Sequence, residues 1–273
     1  MLLLRLALLA GPALAASGTV WATPHDSYSS SVGVLGCFIN TNRVAYWPDS
    51  VSCSNICVAL SHAGRTVHLL RVDQSQGAHD ISYDAWNYLI TGESATKDPV
   101  SGGAVSMTYQ DVDAAQCAHL INTKDAKLPL SASNSMNFLA ECLGDDNSYV
   151  AQNHVLYNIL DATCQYGYDE VCSLTDFPAQ NQPNCTHQLG VPRVLTTLPV
   201  WNIMYPTGEK VRVGTVGNAS YTAGAPVPTS SSPVSSSHGG GDDDDDDEED
   251  AAVGVRPVLW AVIGAVAAAT MLQ

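Results

Sequence analysis

The chain has 273 residues, with 27 acidic against 11 basic side chains and a formal net charge of −16 at pH 7. With no basic patch to track phosphates, that balance excludes nucleic acid as an expected partner. Hydrophobic residues make up 45% of the chain, too many for a wholly disordered protein and enough for a buried core.

In chain order, residues 1–16 read as a secretory signal peptide: Arg5, an apolar run, and the small-residue site Ala13-Leu14-Ala15. Residues 17–32 are Ser-, Thr- and Gly-rich and are expected to be a loose lead-in. Strands are predicted over Arg43 to Pro48, Asn55 to Ser61 and Thr66 to Val72, separated by turn residues. The segment "GGAVSMTYQDV" alternates, with Val105, Met107 and Tyr109 on one face, as in a half-buried strand. Between them a helix is predicted from Ser82 as N-cap, with Asp84 in the first turn and Ala85, Trp86, Leu89 and Ile90 on one stripe.

Further on, "SNSMNFLAECL" has helical spacing, "HVLYNIL" reads as a strand, residues 161–190 as a bridged loop region, and "LPVWNIMYP" as a last strand. Cys37, Cys53, Cys57, Cys117, Cys142, Cys164, Cys172 and Cys185 form an even set in an exported chain, which implies up to four disulfides; the pairing stays open among 105 possibilities. Asn184 and Asn218 stand in N-glycan sequons. Residues 216–250 read as a Ser/Pro-rich stalk followed by an acidic spacer, Asp242 to Asp250. Residues 251–273, an apolar tail after that spacer, read as a removable signal for a glycosylphosphatidylinositol anchor, with Ser237, Gly239 and Gly240 as attachment candidates.

Chemistry is sought first at the polar junction between the strand ending at Val72 and the helix at Ser82. Asp73 and Asp80 flank one loop and are the candidate acids for glycosidic bond cleavage, which needs two carboxylates at set separations. Tyr46 and Trp47, expected at an exposed strand end, together with His79 and Tyr83, are the candidate glycan contacts, since sugar C–H faces stack on aromatic rings. No Gly-x-Ser-x-Gly elbow, phosphate loop or His-Glu-x-x-His is present. No metal or other cofactor is expected: Cys53-x3-Cys57 has no matching second pair.

The residues "VHLLRVDQSQGAHDISYDAWNYL", followed by "GGAVSMTYQDVD" and Cys117, resemble the double-psi β-barrel of the barwin, expansin and related wall-active proteins. The likeness covers roughly residues 33–120. It implies a mainly β fold, a six-stranded double-psi barrel with a short helix over residues 33–127, joined by a disulfide-rich α+β extension over 128–215. Asp80 falls on the aspartate of the family's "DLS" motif, which lies in a glycan groove and donates a proton in the related lytic enzymes. Two features depart from the family pattern: His79 directly precedes Asp80, and Gln74-Ser75-Gln76 stands where a cysteine is usual. The resemblance implies a monomeric, anchored cell-surface protein that binds or loosens wall polysaccharide, chitin or β-glucan, without hydrolysis. The alternatives are a glycoside-cleaving enzyme with Asp80 as general acid and a structural or adhesive wall glycoprotein. The whole architecture resembles that of a fungal surface protein.

Overall fold

The computed structural model describes residues 16–214. The signal peptide, stalk and anchor readings, with Asn218, Ser237, Gly239 and Gly240, lie outside the described residues. Six strands close a mixed barrel: β1 (Ser17–His25), β2 (Val44–Trp47), β3 (Cys57–His62), β4 (Arg65–Gln74), β5 (His79–Ser82) and β6 (Val105–Asp111), in the order β1-β5-β2-β4-β3-β6. β1 runs parallel to β5, and β2 parallel to β4; the other neighbours are antiparallel. The expected lead-in is therefore corrected: residues 17–25 are the strand that closes the sheet. β5 was likewise hidden in a segment read as a polar loop. Both present polar side chains on their outer side, so neither shows an apolar run.

Strand alternation sorts the side chains into two cores. Val20 and Ala22 of β1, Ala45 and Trp47 of β2, Val58 and Leu60 of β3, Leu69 of β4, Ile81 of β5 and Met107 of β6 fill the barrel. The helix α1 (Tyr83–Thr91) packs Ala85, Trp86 and Leu89 into the same cluster, as its stripe predicts. Trp86 is 2% exposed, and Gly102 lets the chain cross its ring, since a Cβ there would lie 2.6 Å from the indole. The helix ends at Gly92, whose φ of +89° suits glycine. The Arg65 guanidinium, donating to the carbonyls of Leu89 at 3.0 Å and of Ile90 and Thr91 at 3.4 Å, satisfies the last turn and opposes the helix dipole. Ser82 precedes the helix, but its hydroxyl caps nothing and is buried without a partner.

The second core lies outside the barrel, where Val44, Tyr46, Leu70 and Val72 are covered by the rest of the chain. That covering part comprises β7 (Leu128–Ser131), α2 (Met136–Leu143), α3 (Tyr149–Gln152), β8 (His154–Ile159) and β9 (Gly167–Cys172), with β7, β8 and β9 in one sheet. The small hairpin of β10 (Trp201–Ile203) and β11 (Lys210–Arg212) follows. Four disulfides fasten the fold. Cys57–Cys117 lies within the barrel region, Cys172–Cys185 within the extension, and Cys37–Cys164 and Cys53–Cys142 join the two. The joining bridges close loops of 127 and 89 residues, each worth about 4–5 kcal/mol if disulfides act through chain entropy. That is comparable to the whole net stability of a typical domain, about 5–15 kcal/mol.

Candidate functional site

The barrel register brings the predicted residues into one row. Tyr46 on β2 pairs with Asp73 on β4 to one side and with Asp80 on β5 to the other, and Asp80 pairs in turn with Thr23 on β1. Paired residues share a face, so Asp73, Tyr46, Asp80 and Thr23 form an outward-facing line across four strands. With strands about 4.8 Å apart, the α-carbons of Asp73 and Asp80 stand about 10 Å apart, with the tyrosine between them. His79, next along β5, points to the opposite face, into the barrel mouth, where its ring meets Trp47 edge-on at 5.0 Å. Desolvation lowers its pKa, and Arg71 pushes the same way while Asp49 and Asp80 oppose.

Both carboxylates are already engaged. Asp80 accepts the Thr23 hydroxyl. Asp73 accepts Ser29 Oγ at 2.5 Å, the Ser31 amide at 2.8 Å and its neighbour's amide, Gln74 N, at 2.8 Å. These bonds pin the segment Asp26 to Ser31 across the row, helped by Ser30 Oγ donating to the Val72 carbonyl at 2.6 Å. Tyr46 beneath it donates its hydroxyl to the Ser27 carbonyl at 3.4 Å and packs against His25, ring centroids 4.7 Å apart and planes tilted by 55°. Burial, with Asp73, Asp80 and Asp26 nearby, pushes the Tyr46 phenol far above its ordinary pKa, so it stays a neutral donor. The cavity beside it, lined by His25, Asp26, Tyr46 and Trp201, has room for about 10 Å³. That is the space of about one water, too little for a sugar ring.

The expected exposed aromatics are therefore corrected. Tyr46 is 4% exposed, Trp47 3% and Tyr83 1%. Pro48 suggested a strand end in open water, but β2 is buried on both faces, by the barrel interior and by the extension. Tyr83 packs edge-on against Tyr205 at 5.1 Å and donates its hydroxyl to the Val100 carbonyl at 2.9 Å. Asp84, in the first turn of α1, is also internal: it accepts Arg43 Nη1 at 2.8 Å, Ser94 Oγ at 2.5 Å and the Ala95 amide at 2.8 Å.

The exposed aromatic on the barrel is one that sequence reasoning passed over. Trp21, on β1, is 65% exposed and pairs with Ser106 on β6. One register step away, Thr19, Thr108, Ser61 and Thr66 form a hydroxyl row across β1, β6, β3 and β4. Ser61 and Thr66 share a hydrogen bond of 2.7 Å, and a shallow groove of about 310 Å³ runs over Thr19, Ser61 and Thr108. In the other direction along β1, alternate positions lead from Trp21 to Thr23, which meets Asp80, and to His25. The signal was the alternation of "TVWATPH", overlooked because residues 17–32 read as a tail. Trp201, 39% exposed with the Lys210 ammonium 5.0 Å from its ring centroid, is a second exposed indole.

Comparison with protein-family models and with curated proteins gives no match.

All eight predicted cysteines are bridged. Asn184 is exposed, and only its backbone is tied down, in a bridge to Ser173; the Cys185 bridge thus leaves the sequon's asparagine open. Among the described residues, no group of three His, Cys, Asp or Glu side chains is placed to hold a metal.

Proposed function

We propose that this chain is a cell-surface protein of the expansin-like, double-psi barrel type, held by a lipid anchor, that binds wall polysaccharide (chitin or β-glucan) without cleaving it. The observation that carries the reading is Trp21, an indole open to water on a disulfide-braced closed barrel and bordered by a row of hydroxyls. A flat apolar face stacks on sugar C–H surfaces, while hydroxyls exchange hydrogen bonds with sugar hydroxyls. The stripe from Thr19 to His25 spans about 20 Å, which suits an extended chain rather than a small pocketed ligand. Four disulfides fit an oxidising, extracellular setting. Asp73 and Asp80 speak against hydrolysis: each is spent on local hydrogen bonds, and the Tyr46 ring stands where a water and a scissile bond would need to lie.

The test is retention of the mature protein on insoluble chitin and β-glucan, with and without Trp21→Ala. Retention that falls at least tenfold in the variant supports the reading. A wild-type protein that stays in the supernatant with both polymers sinks it and leaves a structural or adhesive glycoprotein.

A further inference from the structure

The extension carries a second constellation. Glu170 on β9 accepts Asn158 Nδ2 at 2.9 Å, the His187 amide at 2.8 Å and His187 Nδ1 at 2.6 Å. Burial opposes ionisation of that carboxyl, but the bonds from Asn158 and His187 outweigh it and hold the pKa down to about 2. Because Nδ1 is given to Glu170, the other ring nitrogen of His187 is left for a ligand. The imidazole lies flat on Tyr168, centroids 4.0 Å apart and planes 6° from parallel. The Arg193 guanidinium also packs on Tyr168, 5.1 Å from its centroid.

Among the described residues Arg193 has no ion pair and its side chain donates no hydrogen bond. Its guanidinium carbon lies over the Tyr168 ring, and a planar guanidinium offers its N–H groups as paired donors. Glu170 is bonded to Asn158 and His187 rather than to Arg193, although its negative charge stays in the cleft. These groups line one cleft of about 250 Å³, together with Asp169, Thr196 and Thr197. That is just under the size of a drug-binding pocket, and suits a single sugar ring.

We propose that this cleft binds a carboxylate-bearing sugar, a uronate unit, with Arg193 as the two-pronged carboxylate donor and His187 and the threonine hydroxyls meeting the ring oxygens. The choice of a sugar rests on the polysaccharide-binding reading; the choice of a carboxylate rests on Arg193, an exposed cation with no ion pair among the described residues. Asp169 and the ionised Glu170, both in the lining, repel an anion and keep the site weak and salt-sensitive.

The test is calorimetric titration of the mature protein at low salt with a trimer of galacturonate, a neutral glucose trimer and acetate. The wild type is expected to bind the uronate trimer at least tenfold more tightly than either control. Arg193→Ala is expected to lose that preference with an unchanged melting temperature, and Arg193→Lys, a point charge without the planar fork, to keep only part of it. Equal binding of uronate and glucose trimers, acetate matching the uronate, or an Arg193→Ala variant that binds like wild type each overturns the proposal. Trp21→Ala separates the two sites: it is expected to lose polymer retention and keep uronate binding. Retention on chitin or β-glucan without uronate binding removes the cleft and leaves the barrel face; uronate binding without retention does the reverse.

Discussion

Asp73 and Asp80 stand on either side of Tyr46, each in register with it and each bonded to a different part of the chain, Asp73 to the Ser29–Ser31 segment and Asp80 to Thr23. The pair is a structural frame around a buried phenol rather than an open acid couple.

Asp80→Asn is therefore expected to leave polysaccharide retention within twofold of wild type. The amide still accepts from Thr23, so the stability loss should be at most about 1 kcal/mol. The checks are the binding assay and denaturant unfolding. Reducing sugar released by wild type and not by this variant would instead make Asp80 a catalytic acid.

Trp47 and Trp21 should separate packing from binding. Trp47→Ala empties a core position and is expected to cost about 3–5 kcal/mol. Trp21→Ala removes an exposed ring and is expected to change stability by no more than about 0.5 kcal/mol while lowering retention on polymer. Unfolding curves and retention measured on both variants test the contrast. A stable Trp47→Ala protein would contradict the burial of this ring.

Loss of the Cys37–Cys164 bridge, by paired replacement with serine, is expected to destabilise the protein by several kcal/mol, up to about 5 on the loop-entropy account. Loss of Cys172–Cys185, which closes only 13 residues, should cost less, about 3 kcal/mol by the same relation. Melting temperatures of the two variants give the order directly.

Glu170 sets a pH dependence. Its folded pKa, about 2, lies below the ordinary 4.5, so the folded state binds this proton more weakly than the unfolded state does. Its stabilisation is complete above about pH 4.5 and is lost as the pH falls toward 2. Glu170→Gln should accordingly melt lower than wild type at pH 7, with the difference shrinking steadily below pH 4.5. A difference that is independent of pH would refute the assignment.

The anchor reading has its own test. Phosphatidylinositol-specific phospholipase should release the protein from intact cells, and replacing Ser237, Gly239 and Gly240 together with bulky residues should prevent its surface display. Release into the medium without the enzyme, or resistance to it, would count against a lipid anchor.

Much of the barrel was legible because burial leaves a local mark. β2, β3, β4 and β6 are apolar or cleanly alternating, and α1 carries its stripe from Ala85 to Ile90 beside Trp86. The strands that escaped, β1 and β5, are short of apolar residues because their outer sides meet water or one another's polar groups. The Thr23–Asp80 pair shows this: neither residue looks like part of a sheet until its partner 57 positions away is known.

The sequence by itself determined that eight cysteines could form up to four bridges, that the stretch from Arg43 to Val112 would be strand-rich, and that Trp86 would be internal, because each of these follows from composition or short-range periodicity. Only the tertiary structure decided which cysteines meet, that Tyr46 and Trp47 are sealed, that Trp21 is bare, and that Tyr168, Glu170, His187 and Arg193 share one cleft. Those are matters of what covers a given face, and a strand's alternation says that it has two faces without saying what lies against either.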